Sequence, residues 1–185
     1  MRPTTAHDII RRDELILALG WAAALRAGEL VALDVADLAF TDDPGSADGA
    51  AMLVRIRKSR ADQRQKVEYF AVPASSTSNA CPVRLGASAA RRLRTGPLFR
   101  RIDRHGCVLG RLNADSVSTI VRDAVGDVLH VPDEVYSGHS LRAGFVTQAR
   151  LDGLADELIA RHCRLHSPKH ARSTTRPPNS STSQP

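Results

Sequence analysis

The stretch YSGHSLRAGF places His139 and Arg142 three residues apart, just after a Ser-Gly break and at the start of an apolar run. On a helix those positions share a face. An imidazole able to shuttle a proton would then stand beside a guanidinium able to neutralise a phosphate oxygen. Orphan backbone N–H groups at such a helix start also favour an anion, although a polar helix start with a solvent-facing histidine would look the same. Arg26, in ALRAGELVAL, falls where one helix gives way to the next, with Glu29 within reach to hold its guanidinium. A surface ion pair would leave the same letters. Lys58, in RIRKSRADQ, ends a strand before a polar turn, where an ammonium can reach a phosphate. Taken alone, a lysine in a hairpin turn says little.

These residues need a scaffold. The 185-residue chain has room for one domain with a core, or a domain and a tail, and its 42% apolar and 25% charged residues suit a globular protein. Residues 11–25 read as a helix, with Leu15, Leu19 and Ala22 at helical spacing, and a short helix restarts after Gly28, burying Leu30 and Leu33. TDDPGSADGA follows as a loop. MLVRIRKS and KVEYFAVP then alternate apolar and polar residues, the period of a hairpin or two short antiparallel strands. CPVRLGASAARRLR reads as a helix with proline at its start, and GPLFRRIDRHGCVLGR as an irregular loop carrying Leu98 and Phe99. Past Asn113, a candidate N-cap, Val117, Ile120, Val121, Ala124, Val125 and Val128 form the cleanest amphipathic stripe in the chain. Two shorter helices are expected near residues 139–151 and 154–162. The fold class is mainly α with a small antiparallel β-sheet (α+β). The expected organisation is an extension over residues 1–10, a domain over 11–172 and a disordered tail over 173–185, which holds no apolar residue.

Charge narrows the partners. Lys+Arg number 26 against 20 Asp+Glu, a net +6, and arginine far outnumbers lysine. That balance suits two-pronged gripping of phosphate oxygens on nucleic acid, or a merely solvated basic surface. Three separated cysteines, Cys81, Cys107 and Cys163, form neither a disulfide framework nor a CxxC zinc pattern, which points to a reducing cytoplasm. No run reaches the length of a membrane span, and the N-terminus lacks a signal-peptide core.

In order and spacing, RDELILALGWAAALRAGELVALDVADL, RIRKSRADQ and YSGHSLRAGFVTQA resemble the catalytic domain of the tyrosine recombinases, the phage-integrase family, over roughly residues 11–172. The resemblance implies double-stranded DNA as partner, with other recombinase subunits, no membrane, no cofactor and no metal, in the cytoplasm at the nucleoid. It also implies roles. Arg26 and Arg142 would clamp the scissile phosphate and Lys58 would protonate the leaving 5′ oxygen. His139 would be the acid/base residue between the arginines. In that family a tyrosine attacks the phosphodiester and is held as a 3′-phosphotyrosyl link until rejoining. Paired guanidiniums can stabilise the five-coordinate phosphorus, and a neutral phenol depends on such a cationic pocket.

The chain departs from the family at its last motif, Gly-His-x-Ser followed by the tyrosine. Anchoring IARHCRLHSPKHARSTTR on Ser167 and Arg172 puts Arg164 at the glycine, Leu165 at the histidine and Thr174 at the tyrosine. His166, one position out of register, could substitute for the histidine only if the loop shifted. Tyr69 and Tyr136 match no nucleophile position, and the alkoxide of Thr174 would be a worse leaving group than a phenolate. No nucleophile is assigned, and the chain is expected to be inactive for cleavage. Ser173–Thr175 can be coded AGT-ACT-ACN, and the frame starting one base earlier reads NAG-TAC-TAC, with two tyrosines. A frameshift near residues 163–172 would account for the departure. The family's separate N-terminal helical domain has no counterpart among the first ten residues, so the chain reads as a fragment.

Two other readings compete. His162, His166 and His170 with Cys163 invite a metal, but Pro168 would break the helix needed to align them. LALGWAAALRAGELVAL could instead be a helix-turn-helix regulator's motif with Gly28 near the turn. That alternative leaves the register of Lys58 and HSLR as coincidence.

Overall fold

The computed structural model describes residues 6–42, 50–57, 67–75, 80–129 and 136–165. The expectations on Lys58, His166, Ser167, Thr174 and the tail lie outside these residues. The element order is α1 (Ala6–Ala22), α2 (Ala27–Ala32), a 3-10 turn (Val35–Asp37), β1 (Leu38–Asp42), β2 (Ala50–Ile56), β3 (Glu68–Pro73), α3 (Pro82–Leu93), β4 (Arg100–Ile102), β5 (Val108–Arg111), α4 (Ala114–Leu129), α5 (Ser140–Leu151) and α6 (Asp156–His162). The mainly helical class with small antiparallel sheets is as expected.

Three details differ from expectation. Helix α1 begins five residues before residue 11 and ends at Ala22, where the chain turns through Ala24 at φ 45°. The expected two-stranded hairpin is a three-stranded sheet ordered β1-β2-β3, because LAFTD pairs with β2 from Leu38↔Val54 to Asp42↔Ala50. Of that strand Leu38 is buried, with Ala39, Phe40 and Thr41 exposed, so no alternation marks it. The supposed irregular loop around residue 100 is the β4–β5 hairpin, whose register shifts between Arg100 and Ile102 and so breaks the period of two.

The core explains the layering. On β2, Met52, Val54 and Ile56 turn one buried face to α3. Gly86 of α3 lets the helix approach closely, since a Cβ there would lie 2.8 Å from the Met52 sulfur. Leu15, Ile16 and Leu19 of α1 and Val117 and Val121 of α4 complete this main core, with Phe99 wholly buried. A smaller cluster of Ala24, Val146, Ala149, Ile159 and Cys163 packs α5 and α6 against the end of α1. This second cluster brings the two halves of the site together. Among the described residues no helix is long and apolar enough to cross a membrane.

On the outer face of β2 an acidic pair gathers three arginines. Asp37, its side chain fully buried, accepts from Arg55 Nη2 at 2.7 Å and Arg57 Nη2 at 2.7 Å, and from the Asp34 N–H at 2.9 Å. Asp34 takes Arg57 Nη1 at 2.9 Å and Arg111 Nη2 at 2.6 Å. Arg111 also donates to the carbonyls of Val31 and Leu33, tying the end of α2 to β5.

Candidate phosphate-binding site

A helix leaves its last carbonyls without intrahelical partners, and its dipole makes that end negative. Helix α1 has no basic residue in its own last turn. Its end is served instead by three basic side chains from the far end of the sequence. His162 Nε2–H donates to the Ala22 carbonyl at 3.0 Å. Arg164 donates to the Ala23 carbonyl through both Nη atoms at 3.3 Å, and to Ala24 at 3.2 Å. Arg142 Nη1 donates to the same Ala24 carbonyl at 2.8 Å, and its Nη2 donates to the Cys163 carbonyl.

Glu29 links this group to Arg26. Its Oε1 accepts Arg26 Nη1 at 2.7 Å, and its Oε2 accepts the Arg26 backbone N–H at 2.9 Å and Arg164 Nη2 at 3.2 Å. The Arg26 side chain remains 43% exposed, whereas Arg142 is only 5% exposed. Arg26 and Arg142, more than a hundred positions apart in sequence, therefore belong to one hydrogen-bonded cluster. His139, the N-cap residue of α5, is exposed, and its N–H donates to Ser137 Oγ at 3.3 Å. Gly138 fits tightly beneath it, since a Cβ there would meet the Ala27 Cβ at 3.0 Å. The Ser-Gly break thus seats the start of α5 against the start of α2.

The electrostatics follow from this crowding. Burial pushes the Arg142 guanidinium below its ordinary pKa, and the neighbouring Arg26 and Arg164 charges push the same way. Burial raises the Glu29 carboxyl, but the Arg26 N–H, the Arg164 charge and the Arg26 side chain together hold it below the usual carboxylate value. A carboxyl depressed in the folded state contributes stability above its unfolded pKa and loses it as pH falls through the folded one. Glu29→Gln is therefore expected to cost about 1–2 kcal/mol at neutral pH. In urea unfolding, the gap to the parent should close as pH drops below about 4; a gap independent of pH would contradict the assignment.

Arg164 carries no role that its sequence context announces. Its φ of 53° lies in the left-handed region that favours glycine, the residue expected at this position from the family resemblance. Its ring of partners exists only because the turn after α6 returns to α1, so no local pattern marks it. The one hint in the letters is the absence of basic residues at the end of α1. His162 is likewise engaged, stacked on Phe145 at 4.2 Å and edge-on to Phe70 at 4.5 Å. Among the described residues no three His, Cys, Asp or Glu side chains group as metal ligands. Tyr69 is exposed on β3, and Tyr136 is half-buried against the main core.

No family model matches the chain. It is 31% identical over 161 residues to an integrase/recombinase XerD homolog of Selenomonas ruminantium, covering 85% of this chain and 45% of that protein. The chain belongs to the tyrosine recombinases. The fold agrees: the XerH site-specific recombinase superposes with TM-score 0.64 at 12% identity, over 96% of this chain and 46% of that one. The XerA recombinase does so with TM-score 0.56 at 18% identity, over 97% of this chain and 61% of that one. The chain thus spans about half to three-fifths of the length of the recombinases it matches. In this tyrosine-recombinase domain Arg26 stands at the junction of α1 and α2, and His139 and Arg142 at the start of α5.

Proposed function

We propose that this chain is the catalytic-domain part of a site-specific DNA recombinase, that it grips a backbone phosphate of duplex DNA, and that it does not cleave the strand with a nucleophile of its own. One observation carries the reading: Arg26 and Arg142 converge, through Glu29, Arg164 and the Ala24 carbonyl, on the junction of α1 and α2. Guanidiniums fixed by a carboxylate and by carbonyls are preorganised for a charge that builds on phosphate oxygens. Arg26 presents the open face and Arg142 supplies charge from beneath. Lys58 and His139 hold the proton-transfer positions implied by the family, the leaving 5′ oxygen and the acid/base place between the arginines, which come into play only with a nucleophile from outside this chain. XerH, similar in fold, is described in a pre-cleavage complex with its difH substrate. The cytoplasm, at the nucleoid, is the compartment that goes with this reading.

Nothing favours the helix-turn-helix reading. Helix α2, which would have to read the groove, has six residues and buries Leu30 and Val31.

The test is a nicked suicide duplex incubated with purified protein and resolved on a denaturing gel, beside a native-gel titration of the same duplex. Duplex binding that weakens steeply with salt, with no covalent adduct, is expected. An adduct that survives denaturation would overturn the cleavage-deficient part. Salt-insensitive binding, or none, would overturn the phosphate grip.

A further inference from the structure

Arg164 is the odd member of the cluster. Its backbone sits at φ 53°, a conformation that costs a non-glycine residue about 1–2 kcal/mol. Its side chain is 12% exposed, and its buried Nε makes no hydrogen bond among the described residues, facing the Glu68 carboxylate at 4.0 Å. The guanidinium lies 5.8 Å from the Phe70 ring centre, which shields it from water on that side. An arginine held in this way must be compensated by its contacts, and those contacts are shared with the two clamp arginines. Arg164 and Arg142 donate to one carbonyl, that of Ala24, while Arg164 and Arg26 donate to one carboxylate, that of Glu29.

We infer that Arg164 is the third cation of the anion site, strengthening its grip on phosphate by charge and not by direct contact. The inference rests on the phosphate-grip reading above. Three guanidiniums stand against the Glu29 carboxylate within hydrogen-bond reach, and the half-exposed Glu68 carboxylate comes no closer to Arg164 than 4.0 Å, so it offsets the added charge only in part. Both Nη groups of Arg164 are already committed, to Ala23, Ala24, His162 and Glu29, so the side chain is placed to act through its field. By taking part of Glu29, it also leaves Arg26 less neutralised and freer to meet an anion. The added positive charge suits the dianion that forms when a phosphodiester becomes five-coordinate, or a free phosphate dianion.

Isothermal titration with inorganic phosphate, at constant ionic strength set by chloride, tests this on the whole chain. A unit charge beside an ion site of near-surface dielectric changes affinity by about tenfold. Arg164→Gln is therefore expected to weaken phosphate binding about tenfold. Arg164→Lys, which keeps a point charge and loses the fork, should stay within about threefold of the parent. Circular dichroism identifies variants that fold. Equal affinity in the parent and Arg164→Gln overturns the inference, and so does a folded Arg164→Lys that loses as much as the glutamine variant. Arg26→Ala separates the two levels. If it weakens phosphate binding and Arg164→Gln does not, only the inference fails. If the parent takes up no phosphate, or Arg26→Ala changes nothing, the grip itself fails and the inference with it.

Discussion

Arg142→Met is expected to leave unfolding stability within about 1 kcal/mol of the parent while weakening duplex binding at least roughly tenfold. The two halves of this result have different causes. On the stability side, the substitution orphans the Cys163 carbonyl, at a cost of about 1–3 kcal/mol. The Ala24 carbonyl is not orphaned, because Arg164 still donates to it at 3.2 Å. Against that cost stands the removal of a desolvated cation that has two other cations as neighbours, feels Glu29 only weakly, and has no ion-pair partner among the described residues. An unbranched side chain of similar length fills the space at little strain. The near-cancellation is the signature of a charge kept for binding and not for the fold. Urea midpoints and duplex titrations on the same preparation measure both halves. A drop of several kcal/mol with duplex affinity preserved would make Arg142 a structural staple and sink its place in the phosphate grip.

Asp37→Ala should behave in the opposite way, lowering stability by about 3 kcal/mol. Its carboxylate is fully buried and takes two guanidiniums and a backbone N–H. Breaking a buried pair costs about 3–5 kcal/mol when the survivor is left buried. Here Arg55 and Arg57 keep 38% and 46% exposure and can turn to water, which places the cost at the lower end. The Asp34 N–H cannot turn away so easily. The substitution also loosens Arg57, the residue immediately before Lys58, so duplex binding should weaken along with stability. A urea midpoint equal to that of the parent would show that this network is solvated and contributes nothing.

How far the sequence can be read follows the range of each signal. Helix α4 is legible because Val117, Ile120 and Val121 repeat at helical spacing and are buried. The two ends of the clamp are legible because Arg26 with Glu29, and His139 with Arg142, are each local patterns. The spacing of His139 and Arg142 does not show that one is exposed and the other buried. That depends on which side of α5 faces the Ala24–Cys163 cluster. Strand β1 escapes because Leu38 is buried and the three residues after it are exposed, which leaves no period of two, and β4–β5 escapes because its register shifts. Arg164 escapes for a third reason. Its partners are the carbonyls that end a helix some 140 positions earlier, and backbone groups leave no letter in a sequence.

The most direct measurement is the dependence of duplex affinity on salt for the parent and Arg26→Ala. Arg26 is half-exposed and can be removed with little disturbance to the core. Removing one cation that neutralises a phosphate should flatten the plot of log K against log salt by about 0.9. Weaker binding and a slope shallower by about one unit are therefore expected of Arg26→Ala. Identical slopes and affinities for the two proteins would contradict the phosphate grip.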